Sequence, residues 1–203
     1  FAEFATLNGD YGDYVANHPE AHPIDESGQP AARATWFMGA CPTDPGFRAF
    51  RMDELRTLLS EHEVNGVWMD YLHWHAQFED PYPMLCKTCF NESCLDSFQF
   101  ATDIEVRGDT TAEKAEWILL QAAQAWEDWR VSVVVDWARE LHAIVKEIRP
   151  AALVGNYQAA CRTMTSRAPG GAASGSTSTC WPRMSTYSRP CHITAARACR
   201  SNM

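Results

Sequence analysis

The chain has 203 residues, enough for one sizeable core, and no apolar run approaches the roughly 20 residues that a membrane helix needs. All 26 acidic residues but only 11 of the 17 basic ones precede Arg162, which leaves −15 on that part and +6 on the remainder. So acidic a body excludes nucleic acid as the main partner, because phosphate contacts need clustered Lys and Arg.

Phe1 is not a start methionine, so we expect a fragment or a processed product. No secretory signal is visible, which leans towards the cytoplasm, although a missing amino terminus would hide one. Residues 1–7 alternate weakly and read as a strand, with Glu3 in it. A long polar passage, 8–35, follows, rich in Gly, Asp, His and Pro. Loops of that length are functional or disordered in most compact domains. Tyr11, Tyr14 and Trp36 supply flat apolar faces beside hydroxyls and carboxylates, which suits a sugar; an ordinary surface loop is the competing reading.

Cys41-Pro42-Thr43-Asp44-Pro45 reads as a helix entry, with Thr43 or Asp44 as the cap. Phe47, Phe50, Leu55, Leu58 and Leu59 then fall near helical spacing through Glu61. His62-Glu63 turns the chain into the run 64–71, where Val67-Trp68-Met69 ends in Asp70. Such a short apolar run reads as a strand buried on both faces, as in a parallel sheet. An unpaired charge is costly inside such a strand, so Asp70 is expected at its carboxyl end, where parallel α/β folds bind ligands.

A second irregular passage, 76–85, contains Glu79-Asp80-Pro81. A short helix is expected over 92–100, with Leu95 and Phe98 on one face. Thr110 with Glu113 has the pattern of a capping box. From 112 to 149, Trp117, Leu120, Trp126, Trp129, Val133, Trp137, Leu141, Ile144 and Ile148 recur three or four apart, which predicts two helices or one kinked helix with the tryptophans in the core. Pro150 stops the pattern, and 151–157 reads as the next buried strand. Strands alternating with helices predict an α/β fold with a parallel sheet and helices outside.

From Arg162 to Met203 there is no Asp, Glu, Lys, Leu, Val or Phe. Read one base earlier through the genetic code, 184–194 is compatible with Val-Asp-Val-Phe-Ser-Pro-Met-Pro-Tyr-His, another strand with a polar, aromatic end. We therefore divide the chain into a domain at 1–161 and a low-complexity tail at 162–203, frameshifted and disordered, whose Cys and His are not assigned as ligands.

Asp70 is the leading candidate for a catalytic carboxylate. Glycoside hydrolysis needs a second carboxyl group, about 5–5.5 Å away for retention or about 6.5–9.5 Å for inversion. Glu3, Glu79 and Asp80 are the available partners, and a structural carboxylate bonded to loop amides is the plain alternative. If the strand continues, His73 and His75 point the same way, towards sugar hydroxyls or a metal shared with Asp70; satisfied loop histidines are the plain alternative. Cys86-Lys87-Thr88-Cys89 with Cys94 has the spacing of half a zinc site, which Cys41 or a histidine would have to complete. Packed or disulfide-forming cysteines are the default, and we expect neither metal nor other cofactor. No Gly-rich phosphate loop and no Gly-x-Ser-x-Gly elbow is present.

Cys41-Pro42-Thr43, a helix with Phe47-Arg48, and then Asn65-Gly66-Val67-Trp68-Met69-Asp70-Tyr71 resemble the hypothetical glycosyl hydrolases, a family of glycoside hydrolases with TIM-barrel catalytic domains. Cys89-Phe90, Cys94-Leu95 and Phe98, then Trp126 and Trp129-Arg130, are similar to the cysteine-bearing insertion and following helix of that family. The resemblance implies a (β/α)8 barrel, a carbohydrate substrate and a strand-end Asp matching Asp70. Asn65 departs from the Asp more usual there. A barrel takes about 250 residues, so the chain is expected to hold a partial TIM barrel, its middle strands with their outer helices. The expected function is hydrolysis of O-glycosidic bonds with Asp70 as nucleophile, inactive in this piece alone. Glu3, Tyr11, Trp36, Tyr71, His73, His75, Asn156 and Tyr157 are expected to bind substrate. The rivals are a catalytically silent carbohydrate-binding barrel and a metal-dependent hydrolase using His73, His75 and Asp70. Oligomeric state is left open.

Overall fold

Three strands form one parallel sheet: β1 (Ala2–Ala5), β2 (Gly66–Asp70) and β3 (Leu153–Asn156), in the order β1-β2-β3. In the computed structural model, residues 1–78 and 83–157 are described; Glu79, Asp80 and the tail at 162–203 lie outside them. Five α-helices accompany the sheet among these residues, so the fold is mixed α/β. They are α1 (Gly12–Asn17), α2 (Pro45–Glu61), α3 (Glu92–Thr102), α4 (Thr111–Gln121) and α5 (Ala123–Ile148). Phe1–Tyr157 make one unit.

The helix ends follow local chemistry. Asp44 caps α2 by accepting from the Phe47 N–H at 2.7 Å, and Pro45 opens its first turn. Thr110 and Glu113 close the expected capping box on α4. The long helical pattern divides at Ala122 into α4 and α5. Leu120 keeps the spacing of the core residues but lies exposed, because the stripe it would continue belongs to α5 rather than α4.

Among the described residues, the sheet is packed into the core on one face only, which corrects the expectation of strands covered on both sides. Phe4, Val67 and Met69 join Leu55 and Leu59 of α2 and Leu141, Ile144 and Val145 of α5 in one core. With a side-chain period of two, Glu3, Trp68 and Asp70 fall on the other face, where Glu3 is exposed and the other two half-buried. Gly155 lets the Trp68 ring lie across β3: a Cβ there would meet ring carbons at 2.5 Å.

The tryptophans of α5 are core, as their spacing predicts. Trp126 stacks on Phe90 with centroids 5.3 Å apart and meets Phe98 and Trp129. Trp137 is fully buried and donates to the Pro42 carbonyl at 2.8 Å. The polar passage after β1 is ordered and inward-facing in part. Leu7, Ala21, Ala34, Phe37 and Met38 are buried, and Met38 exchanges backbone hydrogen bonds with Gly9 and Tyr11. Its Gly and Pro turns bring those few apolar side chains back against the domain.

Candidate active site

Asp70 sits at the carboxyl end of the central strand, as the sequence predicts. The strand stops there because Tyr71 takes a left-handed backbone, φ 51°, which a β-ladder cannot continue. That turn lets the Tyr71 N–H donate to Asp70 Oδ1 at 2.7 Å. The Asp70 carbonyl accepts twice from Thr6, from its N–H at 3.0 Å and its hydroxyl at 2.7 Å. Asn8 donates its N–H to the Tyr71 carbonyl at 3.1 Å and its side-chain amide to the Ala76 carbonyl at 2.7 Å. Thr6 and Asn8 are fully buried, and they anchor both sides of the turn. Sequence reasoning missed both. Their signal was two polar side chains directly beyond an apolar strand, where buried polar groups must find partners.

Glu3 is the second carboxylate. It pairs across the ladder with Trp68, so its side chain shares the open face with Asp70 two residues on. The Glu3 pKa is raised, first by a hydrogen bond with Asp70, then by that residue's charge, and last by burial. This contact is closer than the roughly 5–5.5 Å of a retaining glycosidase pair. As the groups stand, they face each other rather than flank a scissile bond.

Aromatic side chains neighbour Trp68 and Tyr71, the residues two before and one after Asp70. Tyr157 is exposed and meets Trp68 edge-on, centroids 6.4 Å apart, while its N–H donates to the Met69 carbonyl. Trp36 is 46% exposed, stacks on Phe37 at 3.8 Å and approaches Tyr71 edge-on at 6.0 Å. Asn156 is the register partner of Met69 and so belongs to the helix-side face, not to the face of Asp70. Tyr11 turns inward against Phe47, beneath the Arg51 guanidinium, and its hydroxyl donates to the Thr6 carbonyl. Burial pushes its phenol up to about 12, so it supports β1 from below.

No family model, no curated protein and no solved structure matches this chain.

The two histidines part company, because the strand does not continue past Asp70. His75 is 2% exposed; its Nδ1 accepts from the Gly39 N–H at 3.1 Å and its Nε2–H donates to the Ala32 carbonyl at 2.9 Å. Both ring nitrogens are thus engaged by backbone, which is the satisfied, structural arrangement. His73 donates from Nδ1 to the Trp74 carbonyl at 2.8 Å and lies edge-on to Phe78. Burial lowers its pKa, against the pull of Asp70, and keeps it neutral at pH 7. Asp70, His73 and His75 do not converge as ligands. Among the described residues, the metal-competent group is Cys41, Cys89 and Cys94. Two hollows of about 280 and 330 Å³ also lie away from Asp70, beside Val15 and beside Trp117.

Proposed function

We propose that this chain carries part of the mouth of a TIM-barrel glycoside hydrolase, with Asp70 as the nucleophile acting on a saccharide. The observation that carries the reading is the strand order: β1, β2 and β3 neighbour one another in chain order, with no reversal, and the crossover helices α2 and α5 pack in the same core. Barrels are built that way, whereas doubly wound sheets reverse at a switch point and place helices on both faces. In a barrel, the face bearing Glu3, Trp68 and Asp70 is the interior, and the carboxyl ends of the strands are the mouth.

The chemistry follows from the side chains. Asp70, fixed at one oxygen by the Tyr71 N–H, offers the other to an anomeric carbon. Trp36 and Tyr157 present exposed ring faces to the apolar side of a sugar. Glu3 lies in contact with Asp70, too close to flank a scissile bond with it, so the general acid comes from another carboxyl group. The test is turnover of aryl glycosides by a complete barrel containing this segment and by its Asp70→Asn variant, with saccharide binding measured beside it. Turnover lost with binding kept supports the hydrolase. Equal turnover in the variant rejects the nucleophile role, and binding without any turnover in either protein favours the silent carbohydrate-binding barrel.

A further inference from the structure

Three cysteines, Cys41 about fifty residues from the other two, meet in the core. Cys41 stands just before α2, Cys89 just before α3, and Cys94 in the first turn of α3. All three are buried, at 0%, 1% and 0% exposure, and none is in a disulfide. Their sulfurs lie within 4.8 Å of one another, and Cys41 Sγ is 3.4 Å from Cys94 Sγ. A tetrahedral ion with Zn–S bonds of about 2.3 Å holds its sulfurs about 3.8 Å apart, within that spread.

We propose that Cys41, Cys89 and Cys94 bind one Zn²⁺ ion, a structural site that ties the entry of α2 to the entry of α3. Three sulfurs cannot all be paired with one another in disulfides, and Cys41 joins, from about fifty residues away, two sulfurs that the start of α3 already holds close. The surroundings suit thiolates. The Thr43 hydroxyl is 3.4 Å from Cys41 Sγ and 3.1 Å from Cys94 Sγ, and the Ser93 hydroxyl is 3.6 Å from Cys41 Sγ. Such hydroxyls donate to metal-bound sulfur from outside the ligand shell. The amino-terminal turn of α3 adds its partial positive charge beside Cys94.

An all-sulfur donor set selects a soft or borderline ion and disfavours Mg²⁺ and Ca²⁺. Binding is not a redox step: each thiol gives its proton to solvent and its sulfur lone pair to the ion. A fourth donor completes the tetrahedron, and Cys86, a Cys-x-x-Cys step before Cys89 and half-buried, is the nearest further cysteine in the chain. The proposal does not rest on the role given to Asp70.

The experiment uses the full chain with Cys161, Cys180, Cys191 and Cys199 changed to serine, so that only Cys41, Cys86, Cys89 and Cys94 are read. Elemental analysis after purification from zinc-containing medium is expected to find one zinc per chain, and a chelator is expected to lower Tm. Co²⁺ added to the stripped, reduced protein is expected to give sulfur-to-cobalt charge-transfer absorption, which needs no variant that might fail to fold. Cys89→Ser and Cys94→Ser are expected to lose the metal. The proposal is overturned by a reduced, folded chain that takes up neither zinc nor cobalt. Undiminished zinc in Cys94→Ser overturns it too, as does a native Cys41–Cys94 disulfide.

Discussion

Glu3 of β1 and Asp70 of β2 present their carboxyl groups to each other on the open face of the sheet. With its folded pKa raised above its ordinary value, Glu3 stabilises the fold while protonated, at pH below the ordinary glutamate value of 4.5. That contribution is lost as pH rises through the raised value, where two anions come face to face. In a carboxyl-carbon NMR titration of the full chain, Glu3 is expected to titrate above 4.5, and Asp70→Asn to return it towards that value. Glu3→Gln, a permanent donor, should melt higher than the parent above the raised pKa and no higher in acid. An unshifted Glu3 would show that the pair is not in contact.

Gly155 and Trp68 test the same face sterically. A valine at 155 would drive its Cβ into the indole, which must swing outward. We expect Gly155→Val to cost about 1–3 kcal/mol in urea unfolding and to change tryptophan emission. Adding Trp68→Ala should recover most of the loss, and a loss unchanged by that second substitution would place the strain elsewhere.

Much of the fold can be read from the sequence because its signals are local. Asp44-Pro45 marks the start of α2, Thr110 and Glu113 mark α4, and the tryptophans of α5 repeat at core spacing. The apolar runs mark all three strands but not how many faces are covered, since Val67-Trp68-Met69 reads alike whether Trp68 meets a second layer or lies across a glycine. The site was legible at Asp70, whose place follows from the cost of burying charge. It was not legible at Thr6 and Asn8, because their partners lie tens of residues away. Local spacing suggested Cys86, Cys89 and Cys94, with Cys41 or a histidine to complete them; tertiary folding brings Cys41 to Cys89 and Cys94.

His75 should betray its structural role through pH. Burial depresses its folded pKa below the ordinary 6.5, the same direction as at His73. The neutral rings therefore contribute stability that is fully present above 6.5 and lost as pH falls through their folded values. His75→Leu leaves the buried Gly39 N–H without its acceptor and should cost about 1–3 kcal/mol at pH 7.5. The variant should also lose less stability than the parent between pH 7.5 and pH 5 in urea melts. An equal acid loss in both would remove His75 as a source of the dependence.

Trp36 separates recognition from folding. Half exposed and stacked on Phe37, it is expected to change stability by no more than about 0.5 kcal/mol when replaced by alanine. If it is a sugar platform, Trp36→Ala should weaken saccharide binding about tenfold, read by NMR or calorimetry. Unchanged binding would take the ring out of the site.

The register of the sheet has a consequence for handling the protein. Among the described residues, β1 and β3 each pair with β2 alone, so the outer margin of each offers a row of amide donors and acceptors. Such margins template the addition of extended chain, from a neighbour in concentrated solution as readily as from a proper partner. Aggregation on concentration should therefore begin at these two borders, and a lysine or proline placed on either should improve solubility.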